Sequence, residues 1–189
     1  MTASSPKPVS HKKATVMNAA QLKRALVRMA HEIIEESEGA KDLALVGMRT
    51  RGVDLARRLA KYIGESVGSE IPVGVLDVTL YRDDFRNREK APVVKPSDIP
   101  FDVDGRTVIL VDDVLYTGRT VRAALDSLMD YGRPSAIHLA VLIDRGHRQL
   151  PIRADFVGQE VRTLGGQEIL VRVKEEDEED AVYLVESSA

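Results

Sequence analysis

The sequence predicts an α/β fold built on a parallel sheet, and three observations carry that prediction. Apolar runs of strand length alternate with amphipathic helical stretches. Two of the runs, Val108–Val111 and Leu139–Ile143, are unbroken, as strands covered on both faces are. The first runs directly into two adjacent carboxylates, Asp112 and Asp113, at the carboxyl end of a strand, where ligands of open α/β sheets bind. Such alternation yields parallel strands joined by right-handed crossovers, with helices flanking the sheet.

The elements follow in order. Residues 1–15 are rich in Ser, Pro, Lys and Thr and are expected to form a disordered tail, because they have little to bury against the entropy of ordering. Leu22, Ala25, Leu26, Met29, Ala30, Ile33 and Ile34 fall on one helical face and Gly39 stops the run, so a first helix is expected from Asn18 to Ser37. Leu43–Gly47 reads as a buried strand, and Gly52 opens a second helix whose core face is Leu55, Ala56, Leu59 and Ile63. Pro72–Leu80 is a β-type run. The charged stretch from Tyr81 to Phe101, with Arg82, Arg86, Arg88, Lys90 and three prolines, is expected to be a flexible lid loop. Thr107–Val111 is a strand, Thr120–Tyr131 a helix closed by Gly132, and Ala136–Ile143 a strand. Ile169, Val171 and Val173, then Val182 and Leu184, alternate as a C-terminal β-hairpin joined by the acidic run Glu175–Asp180. Residues 16–189 are read as one domain without internal repeats.

Composition narrows the function classes. Of 189 residues, 43% are hydrophobic and 30% charged, as in a soluble globular protein, and an aromatic content of 4% gives no sign of a base-stacking surface. The absence of cysteine excludes disulfides, thiolate nucleophiles and Cys-based zinc sites. No apolar run approaches the roughly 20 residues of a membrane helix, and the basic N-terminus has no apolar segment behind it, so a cytoplasmic location and no membrane partner are expected. A formal net charge of −3 argues against strong nonspecific nucleic-acid binding while leaving room for a local basic face.

The most informative segment is Val108-Ile-Leu-Val-Asp-Asp-Val-Leu-Tyr-Thr-Gly-Arg-Thr120. Two acids at a strand end suit the vicinal hydroxyls of a sugar ring. Tyr116, Thr117, Gly118, Arg119 and Thr120 then offer amides, two hydroxyls and a close-approach glycine at a helix start, where an anion is favoured. Helix-capping acids, or the acidic pocket of a phospho-acceptor receiver domain, would also place two carboxylates here. The Thr-Gly-Arg-Thr continuation favours a ribose-then-phosphate reader, and the GxxxxGK[ST] spacing of a Walker loop is absent.

At these residues the chain resembles the type I phosphoribosyltransferases, whose signature is an apolar strand, two acids and a Thr-Gly-x-[Ser/Thr] loop. The stretches VILVDDVLYTGRTVRAALDSL and GRPSAIHLAVLIDRGHRQLPIRADFVG are similar to the branch that joins uracil phosphoribosyltransfer to regulation of pyrimidine operons. RALVRMAHEIIE, VGMRTRGVDLA and LDVTLYRDD extend the likeness from about residue 20 to about residue 160. After Val161 it departs: Arg162–Gln167 stands where the branch has a Pro-Thr-Ser-rich segment.

The resemblance implies a central parallel sheet and a reaction in which uracil and phosphoribosyl pyrophosphate (PRPP) give UMP and diphosphate. Mg2+ is bound with PRPP and not held by the protein directly. Asp112 and Asp113 take the ribose, and Val114, Leu115 and Tyr116 through Thr120 bind the ribose phosphate. Thr50 and Arg51, in the loop Met48–Gly52, take the diphosphate, and Arg82 closes over it from the lid. Arg145 contacts the ligand, and the Val157 backbone reads the base edge. Tyr116 stands where purine enzymes carry an aspartate, which disfavours a purine substrate. Arg24, Arg28 and His31 share one helix face, a pattern that on periodicity alone favours a solvated surface. The resemblance adds His147, Arg148 and Arg153 and makes the group a binding face for pyrimidine-operon mRNA. It also implies a homodimer or larger homo-oligomer. The alternatives are an RNA-binding regulator with UMP as effector and little catalysis, or a phosphoribosyltransferase for another base.

Overall fold

The computed structural model describes residues 12–78 and 96–186. Along the chain come β1 (Lys12–Met17), α1 (Ala19–Glu36), β2 (Leu43–Met48), α2 (Arg51–Val67), β3 (Val73–Leu76), β4 (Thr107–Leu115) and α3 (Arg119–Leu128). Then follow β5 (Ala136–Asp144), β6 (Phe156–Glu160), β7 (Gln167–Arg172), α4 (Lys174–Asp177) and β8 (Ala181–Glu186).

Five strands form a parallel sheet in the order β3-β2-β4-β5-β6. Both of its faces are covered, which explains the unbroken apolar runs. On one face Ile109, Val111, Ala140 and Leu142 pack with α1 and α2; on the other Val108, Leu110, Leu139 and Val141 pack with α3. Period-two alternation therefore sorts residues between two cores instead of between core and water.

Helix α1 starts where the sequence places it. Asn18 accepts from the Gln21 amide at 2.9 Å, and the Gln21 side chain accepts from the Asn18 amide at 2.9 Å, a reciprocal cap. The expected helix after Gly118 runs as α3 and a 3-10 turn, Met129–Tyr131. The strand β4 continues past Val111 to Leu115, so the two acids belong to the strand instead of following it.

A second sheet of three antiparallel strands, β1-β8-β7, contains the expected C-terminal hairpin and one strand that was not expected. Residues 12–15, assigned to the tail from composition, pair with β8 instead: Ala14 lies opposite Leu184 and Thr15 opposite Tyr183. The physical reason is Met17, buried in the main core at 3% exposure, which anchors the segment beside an edge strand with unpaired backbone groups. The rest of the expected tail, residues 1–11, and most of the expected lid, residues 81–95, lie outside the described residues. The end of that lid stretch is tied down: Val75 and Asp98 exchange backbone hydrogen bonds of 2.7 and 2.8 Å, and Ser97 Oγ accepts from the Asp77 amide. Among the described residues no helix is long and apolar enough to cross a membrane.

Candidate active site

The carboxyl ends of β2, β4 and β5 open onto one edge of the sheet, and each leads into a segment singled out from sequence. After β4, Gly118 adopts φ +91°, a left-handed conformation that suits glycine, and starts α3. A cavity of about 280 Å³ is lined by Asp112, Val114 and the run from Leu115 to Val121. Shallow grooves of about 530 and 550 Å³ elsewhere are larger, so size does not select the site. What selects it is the meeting of acids, hydroxyls and a helix N-terminus.

Asp112 is buried and Asp113 half-buried. Asp112 Oδ1 accepts from the Asp113 amide at 2.9 Å, and Asp113 Oδ1 accepts from the Val114 amide at 2.8 Å, which fixes both carboxylates. Burial pushes the Asp113 carboxyl above its ordinary range, against the pull of the Arg51 guanidinium and the Val114 amide. Val114 and Leu115 send their side chains into the two cores, so they scaffold the cup.

The loop from Tyr116 to Thr120 is braced from outside. The Thr117 carbonyl accepts from the amides of Gln149 and Leu150 at 3.0 and 3.2 Å, and the Tyr116 carbonyl accepts from Arg148 Nη1 at 2.8 Å. Arg119 Nε donates to Gln149 Oε1 at 2.8 Å. Arg148 also donates to the carbonyls of Ile152 and Gly146 and to the Asp144 carboxylate. Four of the five guanidinium N–H groups are thereby spent inside the loop.

The loop after β2 sits against β4. A Cβ on Gly52 would lie 2.5 Å from the Val111 carbonyl oxygen, so only glycine lets α2 begin this close to the acids. Thr50 occupies the N-cap of α2 but makes no capping bond with its side chain, and the Arg49–Thr50 peptide is cis. Arg51 makes a two-pronged pair with Asp177 of α4, Nε to Oδ2 and Nη2 to Oδ1, both at 2.9 Å. The bond to Asp177 raises the Arg51 pKa, and the same bond holds the Asp177 carboxyl below its ordinary range. Arg58, also on α2, donates to Glu175 at 2.9 and 2.5 Å and to Asp180 at 2.7 Å. Sequence reasoning missed these clamps, since the acidic run reads as a solvated connector until its partners are seen.

Arg145 and the segment 162–167 belong together. Arg145 Nη2 donates to the Gln167 carbonyl at 2.6 Å and Nε to Thr163 Oγ1 at 3.3 Å, while its guanidinium lies 4.0 Å from the centre of the exposed Tyr116 ring. The His147 Nε2 lies 2.7 Å from the Thr163 carbonyl. Thr163, buried at 4% exposure, thus supports two side chains named from sequence. Nothing local to Thr163 signals this.

Arg24, Arg28, His31, His147 and Arg153 are exposed. Arg28 is engaged nonetheless: Nη1 pairs with Glu32 at 2.7 Å, and Nη2 donates to the carbonyls of Val157 and Gly158 at 3.0 and 2.7 Å. Phe156 belongs to the core. Arg82 lies outside the described residues.

A phosphoribosyl transferase domain family matches residues 15–176. A protein of Thermus aquaticus named Bifunctional protein PyrR is 58% identical over 174 residues, covering 92% of this chain and 96% of that one. This chain belongs to the phosphoribosyltransferase family, in its PyrR branch. Proteins of the same name from Chloroflexus aurantiacus and Listeria monocytogenes are each 56% identical, across 92% of this chain and 96% and 97% of theirs. Among solved structures, a hypoxanthine-guanine phosphoribosyltransferase from Bacillus anthracis superposes with a TM-score of 0.69 at 18% identity, over 94% of this chain and 99% of that one. The hypoxanthine phosphoribosyltransferase of Trypanosoma cruzi in complex with IMP gives 0.72 at 14%, over 95% and 97%. At such identities the likeness to these two is one of fold, and it establishes the type I phosphoribosyltransferase architecture.

Proposed function

We propose that the chain transfers the phosphoribosyl group of PRPP to uracil, forming UMP and diphosphate, and that it regulates pyrimidine operons by binding their mRNA in response to UMP. The observation that carries the enzymatic half is the meeting, on one sheet edge, of the Asp112–Asp113 pair, the cup at the start of α3 and the Thr50–Arg51 loop at the start of α2. A substrate with a phosphate at one end, a diphosphate at the other and vicinal hydroxyls between them matches that order.

In this reading the cup from Thr117 to Thr120 anchors the 5′-phosphate at a helix N-terminus. Asp112 and Asp113 accept hydrogen bonds from the ribose hydroxyls and stabilise positive charge as the anomeric carbon becomes oxocarbenium-like. Arg51 draws off the charge of the departing diphosphate, with Arg82 of the lid assigned the same task from its sequence position. The work is alignment and charge stabilisation, with no covalent intermediate. Among the described residues no three acidic or histidine side chains cluster as a metal cage. The resemblance assigns Mg2+ to PRPP, and Asp112 and Asp113 are the acids that would face it there through water. When bound, the ion neutralises diphosphate charge.

The Val157 backbone is assigned to the base edge and Arg145 to ligand contact. Arg28 then joins the two activities, because the side chain on the proposed RNA face donates to the carbonyl of Val157. Ordering of that strand by UMP reaches α1 through the hydrogen bonds of Arg28 to Val157 and Gly158, and by linkage RNA then tightens UMP as much as UMP tightens RNA. Arg24, His31, His147 and Arg153 keep exposed positions for phosphate and base contacts. Arg148, with four of its five donors spent, serves the phosphate loop first.

The test is a panel of uracil, orotate, hypoxanthine and guanine with PRPP and Mg2+, read as nucleotide formed. UMP from uracil alone is expected. Preferential formation of OMP or a purine nucleotide overturns the assignment of the base, and no product from any base leaves only the regulator.

A further inference from the structure

The acidic segment between β7 and β8 sits beside the diphosphate loop yet has no part in the reaction as described. We infer that Asp177 of α4 is a positioning residue for that reaction: it holds the Arg51 guanidinium in place to receive the diphosphate of PRPP. This rests on the assignment of Arg51 to the diphosphate given above.

Three features support it. The pair is two-pronged and largely shielded, with side-chain exposures of 30% for Arg51 and 10% for Asp177. Asp177 is itself fixed from several sides: Oδ2 accepts from the Val173 amide at 3.1 Å, its own amide donates to the Val173 carbonyl at 2.7 Å, and Arg172 Nη1 lies 3.5 Å from Oδ1. Glu175 and Asp180, on either side of it, are held by Arg58, which lies two helical turns along α2 from Arg51. A rigid carboxylate thus reaches from the three-stranded sheet to the first residue of a helix on the other sheet.

Geometry also shows that Asp177 need not release Arg51 for substrate to bind. The pair uses Nε–H and one hydrogen of Nη2, leaving three of the five donors, including all of Nη1. The Arg51 charge also favours the ionised form of Asp113, so one guanidinium acts on both α4 and the acid at the end of β4. A long side chain held in advance loses less freedom when its ligand arrives. The carboxylate therefore organises the binding group ahead of substrate instead of competing with it.

The experiment uses the full chain as Asp177→Asn and Asp177→Glu. Steady-state constants are measured for PRPP and uracil, and calorimetric affinities for UMP and for inorganic diphosphate with Mg2+. Asp177→Asn is expected to raise KM for PRPP and weaken diphosphate about tenfold, with kcat and UMP affinity within about twofold, because UMP lacks the diphosphate. Asp177→Glu, which keeps the charge, is expected to restore most of the loss. An unchanged KM for PRPP overturns the inference. A lower KM does so too, since it shows that the pair sequesters Arg51. Equal losses for PRPP and UMP reduce Asp177 to a folding role. Should the wild-type chain make no UMP, the enzymatic reading fails, and the diphosphate titration of wild type against Asp177→Asn still decides the role of Asp177.

Discussion

The two loops proposed to hold anions follow neighbouring strands of one sheet and start helices on its opposite faces, yet they are held in different ways. The phosphate loop after β4 is braced by the segment just beyond β5, through Arg148, Gln149 and Leu150. The loop after β2 is tied to β3 through the Arg49 amide and the Leu76 carbonyl, but its Arg51 side chain is held by Asp177, 126 residues further along the chain and beside the other sheet. Both loops thus rest on the parallel sheet, and the second also depends on the docking of a separate layer for its arginine. A site built this way has a fixed end for the part of the ligand that product and substrate share, and a separately supported end for the part that leaves.

The largest expected effect comes from the acids that lie between the loops. Asp113→Asn should lower kcat/KM for uracil by about a hundredfold or more, the scale on which loss of a charge-stabilising group acts, with the thermal midpoint nearly unchanged. Near-wild-type turnover in a steady-state assay would detach the ribose from this carboxylate. Next comes the brace. Arg148→Ala deletes four donated hydrogen bonds around the phosphate loop and is expected to cost about 2 kcal/mol, the range of bonds to a charged group. Urea unfolding measures this, and UMP affinity should fall with it. A stable variant with full UMP affinity would show that the loop stands without its brace.

A smaller contrast separates ligand binding from RNA binding. His31→Ala and Arg28→Ala should each weaken pyrimidine-leader RNA by severalfold, with the log-log salt slope flattened by about one for each RNA phosphate that is no longer neutralised. Only Arg28→Ala should also reduce the tightening of RNA by UMP, since Arg28 alone of the pair bonds the Val157 carbonyl. Identical UMP responses in the two variants would remove that coupling.

The smallest effect is the acid response of the two supports. The bond from Arg51 holds the Asp177 carboxyl below its ordinary 3.8, and the bond from Arg58 likewise lowers Glu175. A lowered folded value means stability that is present above the unfolded value and lost as pH falls through the folded one. Amide exchange in β7 and β8 should therefore accelerate below about pH 4 before that of β4 and β5. Simultaneous opening of both sheets would contradict a separately supported diphosphate end.

The same contrast explains what could be read from sequence. The phosphate loop was legible because its acids, hydroxyls, glycine and helix start are consecutive, and chemistry packed into one short run needs no knowledge of the fold. The parallel sheet was legible because Val108–Val111 and Leu139–Ile143 are buried on both faces. Asp177 was not, since a carboxylate in Glu175–Asp180 looks solvated until Arg51 and Arg58 arrive from α2. Nor was β1: Lys12–Met17 has strand character only opposite β8. Arg148 shows the converse limit, because spacing marks a cation but not whether its donors are spent. Arg82 and the rest of residues 79–95 lie outside the described residues, so their roles stand on sequence resemblance.

The remote clamp also orders events in time. Synthesis runs from the N-terminus, and a domain folds as a unit once its parts are present. Arg51 leaves the ribosome 126 residues before Asp177, and β1 waits still longer for β8, its only strand neighbour among the described residues. Every residue of the Tyr116–Thr120 cup and its brace is therefore synthesised before Asp177, and the support of Arg51 is the last part of the site to become available.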